Sequence, residues 1–368
     1  NSSDNTSSTV SGETIVPGEN PFQKIKVKAI YLTGVSAGSE KTLNHVIELV
    51  NTTELNAVVI DIKEGGVVNY PSNVPEVQKY GLYVKYFNPE AVLKKLHDNN
   101  IFVIGRLVCF RDNGLAKAMP ELGVKRTDGT LWKEGGSSGG FWTNPYKEDV
   151  WKYNTAIAKE AVQLGFDEIQ FDYVRFPTVK KSEVNYGSNV TTKVDAISGF
   201  LKYAAEQLHT VNGGVPVSAD VFGIICESPS DGAALGQDLK RVGLDIDYIC
   251  PMVYPSHYAN ASKGPMGNGT GQTINGMSFT APDLKPYEVV YNTLVKGKET
   301  IDAIPGYRAK VRPYLQDFTA TYLLKGYYQV YGAEQVRQQI KAVYDAGYEE
   351  WILWNGRNIY SEDAFLKE

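Results

Sequence analysis

The stretch "IQFDYVRFP", residues 169 to 177, decides the fold, because it places an acid where a buried strand ends. Ile169 and Phe171 have the alternation of a packed β-strand, and Asp172 interrupts that apolar pattern. Arg175 and Pro177 follow directly, and the proline ends the strand. A buried strand that ends on a charged residue is typical of a parallel barrel, whose functional groups lie at the carboxyl ends of its strands.

The same kind of apolar run, rich in β-branched residues, recurs along the chain and alternates with segments of helical periodicity. We predict strands at 27–34, 56–63, 101–108, 168–174, 216–223, 248–254, 311–318 and 350–355. We predict helices at 40–50, 89–99, 146–164, 193–210, 233–242, 286–302 and 333–346. Eight strand–helix units in series, with strands apolar on both faces, predict an α/β fold that is a closed (β/α)8 TIM barrel.

The length of 368 residues fits one such barrel with insertions, and we predict a single barrel domain over residues 23–368. Three connections are too long to be simple βα loops: those after strand two (64–88), strand three (109–144) and strand six (255–285). All three follow strand C-termini, on the face where barrel enzymes hold their active sites.

Residues 1–22 read as a flexible polar tether without a charged and apolar leader. Such a start is typical of an exported bacterial protein, extracellular or held at the cell surface, for instance by a lipid anchor on a removed segment, although a trimmed chain would look the same. No apolar run is long enough for a transmembrane segment. The net charge of −5 and the scattered basic residues argue against nucleic acid as a partner, and we expect a monomer.

Polar and aromatic side chains cluster at the predicted strand ends, where they would point into the barrel mouth. We predict that substrate binds to Asp61, Lys63, Arg106, Trp142, Tyr173, Arg175, Tyr254, His257, Gln316, Asp317, Trp354 and Asn355. Any one of these carboxylates could instead cap a helix or pair with an arginine. The set as a whole favours function, because burying several charges costs several kcal/mol each. The aromatic faces would pack against sugar rings, so we expect a carbohydrate substrate.

Asp172 and Asp220 stand out because they end consecutive strands in apolar surroundings. Two carboxyl groups in one cleft are the minimum for glycoside hydrolysis, one ionised and one protonated. Arg175 would hold Asp172 ionised, whereas Asp220, among Val, Ala and Phe, is expected to have a raised pKa. We therefore predict Asp172 as nucleophile and Asp220 as general acid/base of a retaining enzyme, with an exchange of the two roles left open.

Two other functions remain open at this point. A non-catalytic, cell-surface carbohydrate-binding barrel would use the same aromatic cleft. A metal-dependent polysaccharide deacetylase could be built on His257 with Asp61 or Asp172, although catalytic zinc usually has more than one histidine ligand. The sequence has no P-loop, no GxGxxG after a strand and no GxSxG elbow, and we predict neither a cofactor nor a metal.

The segments "VKAIYLTGVSAGS", "GFDEIQFDYVRFPT", "VPVSADVFG" and "DYICPMVYPSHY" together resemble the bacterial family of "putative glycosyl hydrolase" domains, once catalogued as a domain of unknown function. The resemblance covers almost everything after the tether. It implies a TIM-barrel glycosidase, distantly similar to the α-amylase and α-galactosidase groups, with the nucleophile after strand four and the acid after strand five, at Asp172 and Asp220. Aspartate at the acid position, where amylases have glutamate, is more like the α-galactosidase and α-glucosidase groups.

Overall fold

Eight parallel strands close into a barrel in the computed structural model, which describes residues 20–135, 139–188 and 191–367. The strands are β1 (Lys28–Leu32), β2 (Ala57–Glu64), β3 (Phe102–Val108), β4 (Glu168–Asp172), β5 (Val217–Phe222), β6 (Tyr248–Met252), β7 (Tyr314–Gln316) and β8 (Trp351–Trp354). Each pairs with the next, and β8 pairs with β1. The predicted (β/α)8 barrel is confirmed. Of the predicted tether, residues 1–19 lie outside the described residues.

Helices follow the strands and cover the outside of the barrel. They are α1 (Gly34–Gly38), α2 (Glu40–Thr52), α3 (Pro75–Tyr80), α4 (Pro89–His97), α5 (Asn113–Ala118), α6 (Glu148–Leu164), α7 (Lys193–Leu208), α8 (Pro229–Leu235), α9 (Leu239–Val242), α10 (Pro286–Asp302) and α11 (Ala333–Asp345). The single helix predicted at 233–242 is wrong. Gly236 ends α8 in the left-handed conformation with φ +84°, and Asp238 caps the start of α9.

Side chains alternate between the inside of the barrel and the layer under the helices. Phe171 points outward, where its ring meets the ring of Phe200 on α7 at 5.2 Å. Its neighbours in β4 therefore point inward, and Gln170 accepts a hydrogen bond inside the barrel from the Tyr314 hydroxyl. The same alternation turns Asp172, the last residue of β4, into the barrel mouth.

The amino-terminal end of the barrel, opposite the mouth, holds a separate ion cluster. Arg312 lies between Glu168 and Glu350, at 2.7 and 3.0 Å, and all three side chains are buried. The Ser218 hydroxyl donates a further hydrogen bond to Glu168. Pro313 follows Arg312 and interrupts the seventh strand, whose first part pairs with β6 as Lys310–Val311. These charges lie at the opposite end from Asp172 and stabilise the base of the barrel.

Long loops cover the open end. The three predicted long loops carry short secondary structure: Val67–Val68 pairs with β2, Lys125–Arg126 pairs with Val184–Asn185, and Gln272–Ile274 pairs with Met277–Phe279. The connections 173–192 after β4 and 317–332 after β7 are also long, which the sequence analysis did not predict. In the part of the chain that the structure describes, no helix is both long and apolar enough to span a bilayer.

A β-bulge in β2 moves Lys63 away from the barrel mouth. Asp61 pairs with Arg106 of β3, but the register then shifts by one and Lys63 pairs with Leu107. The extra residue breaks the alternation, so Lys63 turns outward and forms a fully buried ion pair with Asp112 at 2.5 Å. Its ammonium group also donates to Asn154 at 3.0 Å. This corrects the prediction that Lys63 binds substrate at the mouth.

We predict that Lys63→Met destabilises the protein by about 3–5 kcal/mol, because it leaves the Asp112 carboxylate buried without its cation. Urea unfolding of this variant, of Asp112→Asn and of the double variant measures the effect. Asn at position 112 removes the charge and keeps an oxygen that caps α5. The double variant should lose clearly less unfolding free energy than the two single variants lose together. Unfolding of Lys63→Met within 1 kcal/mol of wild type would contradict this assignment.

Candidate active site

A cavity of about 250 Å³ lies at the carboxyl ends of the strands. It is lined by Arg106, Asp172, Tyr173, Arg175, Asp220, Phe222, Met252, Tyr254, His257, Tyr314 and Trp354. Larger hollows lie elsewhere, including one of about 910 Å³ on the flank beside α4, one of about 430 Å³ at the amino-terminal end of the barrel and one of about 370 Å³ around residues 277–288. The mouth cavity is the better candidate for a catalytic site, because two buried carboxyl groups and two arginines meet in it.

Asp172 is held by hydrogen bonds to both of its carboxylate oxygens. Arg106 donates from Nε at 2.9 Å and from Nη2 at 2.6 Å to Oδ2. The backbone N–H of Tyr173 donates to Oδ1 at 2.6 Å. Only 6% of Asp172 is exposed, and charge-assisted bonds of this kind are the strong ones. The arrangement therefore presents an oriented carboxylate at the mouth.

Arg106 is the fixed cation at the centre of this site. Its Nη1 donates to Asp61 at 2.6 Å and to Glu64 at 2.9 Å, so three carboxylates surround one guanidinium group. Burial alone would lower the Arg106 pKa, but the charges of Asp61, Asp172 and Glu64 raise it well above its ordinary value. The Tyr31 hydroxyl donates to the far oxygen of Asp61 at 2.5 Å. Asp61 thus lies behind Arg106, outside the cavity lining, and burial raises its pKa to about 6.

Asp220 is the neighbour of Asp172 on the next strand. β4 and β5 pair in parallel with Phe171 opposite Ala219, so the two aspartates occupy the next position of the same register. Asp220 is 1% exposed, and neither of its oxygens has a hydrogen-bond partner among the described residues. Burial and the nearby charge of Asp172 raise its pKa well above the ordinary value, against a smaller lowering by Arg106. These effects favour the protonated form of Asp220.

The backbone directly after Asp172 is strained. Tyr173 has φ +48°, a left-handed conformation that is costly for a bulky residue. Strain of this kind persists where the surrounding structure requires it, often at functional sites. Here it redirects the chain after Tyr173, and both Tyr173 and Arg175 line the cavity.

Arg175 does not pair with Asp172, which corrects the prediction that it holds this carboxylate ionised. Its guanidinium group lies over the rings of Trp142, Tyr173 and Phe222, with centroid distances of 4.9, 5.2 and 4.8 Å. The cation that binds Asp172 comes from β3, the strand beside β4. Trp142 itself is fully buried beneath Arg175 and Tyr173, so it supports the wall of the cavity and does not line it.

Aromatic rings form most of the remaining wall. Trp354 stacks on Tyr31 with a centroid distance of 3.9 Å, and Tyr254 meets His257 edge-on at 5.0 Å. Burial lowers the His257 pKa to about 4, so this imidazole is neutral at pH 7. Burial and the Asp220 carboxyl group raise the Tyr254 pKa, so its hydroxyl keeps its proton. Such a cavity offers apolar faces with a few polar groups, as sugar rings require.

Three more predicted residues do not line the cavity and instead tie loops together. Gln316 donates to Asp283 at 2.9 Å and accepts from the Ser256 backbone N–H at 3.1 Å. Asp317 accepts two hydrogen bonds from Ser361, and Asn355 donates to the Asp317 carbonyl oxygen. Their predicted role in substrate binding is corrected: they follow the strand ends in sequence, but their polar groups are used by neighbouring loops.

Three further residues line the cavity that the sequence analysis did not select. Phe222 and Met252 end β5 and β6, two positions beyond the inward-facing Asp220 and Cys250. Tyr314 lies inside β7. The period-two alternation of a strand could have found all three, since each falls on the inward face.

Residues 20–135, 139–188 and 191–367 contain no group of three His, Cys, Asp or Glu side chains that could hold a metal ion. His257 is surrounded by the rings of Tyr254 and Phe318, at 5.0 and 6.3 Å. Asp61 and Asp172, the carboxylates expected to join it, both bind Arg106. The described geometry therefore gives no support to the metal-dependent deacetylase.

Solved structures with the same fold include several glycoside hydrolases. The PgaB (BpsB) glycoside hydrolase domain from Bordetella bronchiseptica is 12% identical with a TM-score of 0.63, covering 90% of this chain and 94% of that one. The α-galactosidase TtGalA from Thermus thermophilus, solved in complex with stachyose, is 12% identical with a TM-score of 0.51, covering 92% and 63%. At these identities the similarity shows the fold alone.

A hypothetical protein from Ruminiclostridium thermocellum ATCC 27405 is 48% identical over 53% of this chain and 99% of its own, with a TM-score of 0.49. The comparison with curated proteins gives no match. The family described as "putative glycosyl hydrolase domain" matches residues 29–360, which includes all of β2 to β8 and the whole cavity. This chain therefore belongs to the putative glycosyl hydrolase domain family.

Proposed function

We propose that this protein hydrolyses glycosidic bonds in a poly- or oligosaccharide, with Asp172 as nucleophile and Asp220 as general acid/base. One observation carries the proposal: neighbouring strands present two carboxyl groups in contrasting surroundings. Asp172 is paired with Arg106, whereas Asp220 is buried without a partner and has a raised pKa. A pair of titratable groups with divergent environments is the usual basis of acid and nucleophile roles in glycosidases.

In the first step, Asp220 gives its proton to the glycosidic oxygen as the bond to the anomeric carbon breaks. Asp172 attacks the anomeric carbon and forms a glycosyl ester, and the glycosidic oxygen leaves as a neutral alcohol that carries the proton from Asp220. In the second step, the Asp220 carboxylate takes a proton from water, the water oxygen attacks the anomeric carbon, and Asp172 is released. Two displacements give overall retention of configuration.

The charges around Arg106 suit both steps. When Asp172 becomes an ester it loses its charge, but Arg106 still faces Asp61 and Glu64, so no buried cation is left unpaired. The charge of Asp172 is one cause of the raised Asp220 pKa. When Asp172 becomes an ester its charge is lost, and the Asp220 pKa falls. Asp220 can therefore donate a proton in the first step and accept one in the second.

We predict that Asp172→Asn and Asp220→Asn each lower kcat by about 10²–10⁴-fold, because each removes a group that acts on the reacting atoms. A hydrolysis screen over glycans of different linkage, with wild type beside both variants, measures this. Asp317→Asn is the matched control, because Asp317 bonds to Ser361 outside the cavity and should keep wild-type kcat.

The product configuration tests the role of Asp172 separately. Proton NMR of the first product should show the anomer of the substrate, and azide should restore turnover of an Asp172→Gly variant with inverted configuration. A wild-type protein that binds glycans yet cleaves none of the panel would favour the non-catalytic binding barrel. An inverted first product would rule out the covalent step.

We also predict that Asp220→Asn stabilises the protein, increasingly so above pH 4. The raised pKa means that folded Asp220 keeps a proton which the unfolded chain releases above its ordinary value near 4. Wild type therefore loses up to about 1.4 kcal/mol of unfolding free energy per pH unit from this group, until pH reaches the folded pKa. Asn has no proton to release.

Urea unfolding of wild type and Asp220→Asn between pH 3 and pH 8 tests this. The difference in unfolding free energy should be constant below pH 4 and should grow in favour of the variant above it. The exposed Asp231 provides a control variant, Asp231→Asn, for which no such growth is expected. A flat difference for Asp220→Asn across the range would show that the buried carboxyl group has an ordinary pKa.

A further inference from the structure

Arg175 is the second arginine of the cavity, and it differs from Arg106 in its partners. No Asp or Glu carboxylate of the described residues lies within 4 Å of its nitrogen atoms, whereas Arg106 has three. Its Nη1 donates a hydrogen bond to the Phe176 carbonyl oxygen at 3.0 Å. The remaining N–H groups of a five-donor side chain are therefore available to a ligand.

Three aromatic rings surround the guanidinium group of Arg175. Tyr173 and Phe222 line the cavity with it, and the buried Trp142 ring supports it from behind. Rings pack against the flat faces of a guanidinium group, so its N–H donors project from the edge. A guanidinium group restrained by neighbouring rings loses little conformational entropy when it binds an oxyanion.

The groups around Arg175 offset its buried charge only in part. Burial lowers its pKa, and the nearby Tyr173, Asp172 and Glu134 raise it by less. Asp172 is bound to Arg106, the protonated form of Asp220 is favoured, and His257 is neutral at pH 7. Asp61 and Glu64 face the other side of Arg106. A partly buried cation among aromatic rings costs free energy unless a counter-charge arrives, and the substrate is the species that enters this cavity.

We propose that Arg175 binds an oxyanion on the sugar in the cavity, so that the substrate is an acidic glycan carrying a carboxylate or a sulfate. This inference rests on the proposed glycosidase function for its site. The cavity of about 250 Å³ is smaller than the roughly 300–1,000 Å³ typical of pockets for drug-sized ligands, so it suits about one sugar unit. The acidic group therefore belongs to the sugar next to the cleaved bond.

The test compares matched ligands that differ only in charge. Uronic-acid oligosaccharides, the same oligosaccharides after chemical reduction of their carboxyl groups, and sulfated oligosaccharides serve as probes. Calorimetry with Asp220→Asn measures binding without turnover. We expect the acidic probes to bind about 10- to 100-fold more tightly than the reduced ones, the range for a hydrogen bond to a charged group. Comparison of the uronic-acid probes with the sulfated probes shows whether Arg175 prefers a carboxylate or a sulfate.

Arg175→Gln in the same background should abolish this preference, because it should weaken the binding of the acidic probes far more than that of the reduced ones. Arg175→Lys keeps the positive charge but lacks the planar pair of N–H donors, so it should recover part of the preference for acidic probes. A merely structural arginine would affect acidic and neutral probes equally, and thermal unfolding checks that each variant folds. Equal losses for both kinds of probe, or tighter binding of the neutral ones, would overturn the proposal.

Hydrolysis by the protein with Asp220 intact separates this inference from the proposed function. Selective binding of acidic probes without cleavage of any glycan would contradict the glycosidase and support the role of Arg175. Cleavage of neutral glycans in preference to acidic ones, with Arg175→Gln as active as wild type on both, would support the glycosidase and overturn the role of Arg175.

Discussion

The ion pair between Arg106 and Asp172 is the interaction on which the chemistry of the barrel mouth depends. It joins β3 to β4 and holds one carboxylate in a fixed orientation, with both oxygens bonded. The charge kept in this way contributes to the raised pKa of Asp220 on the next strand. One buried arginine thus maintains the difference between the two carboxyl groups, and Asp61 and Glu64 keep that arginine compensated.

The barrel supplies the geometry for this arrangement. Outward packing of Phe171 against Phe200 turns its neighbour Asp172 inward, and the parallel register of β4 and β5 brings Asp220 beside it. The strained turn at Tyr173 then brings Arg175 over the cavity. Three features of one short segment, its alternation, its register and its turn, therefore determine which side chains meet at the mouth.

Much of this could be predicted from the sequence, since strand alternation and the acid after a buried strand are local patterns. The eight strands and the adjacent positions of Asp172 and Asp220 follow from them. The partner of Asp172 could not be predicted in this way, because Arg106 reaches it across a strand pair and Arg175 is only its neighbour in sequence. Lys63 was misplaced because a bulge after Asp61 reverses the alternation, and a bulge depends on tertiary pairing that no local pattern encodes.

The central claim is that burial and the charge of Asp172 raise the pKa of Asp220 and favour its protonated form. Carbon-13 NMR of aspartate side-chain carboxyl groups, assigned with Asp172→Asn and Asp220→Asn, measures it directly over a pH titration. The account predicts that the Asp220 signal titrates well above the ordinary aspartate value near 4, and that its midpoint falls when Asp172→Asn removes the neighbouring charge. An Asp220 signal that titrates near 4, or a midpoint that is unmoved by Asp172→Asn, would contradict it.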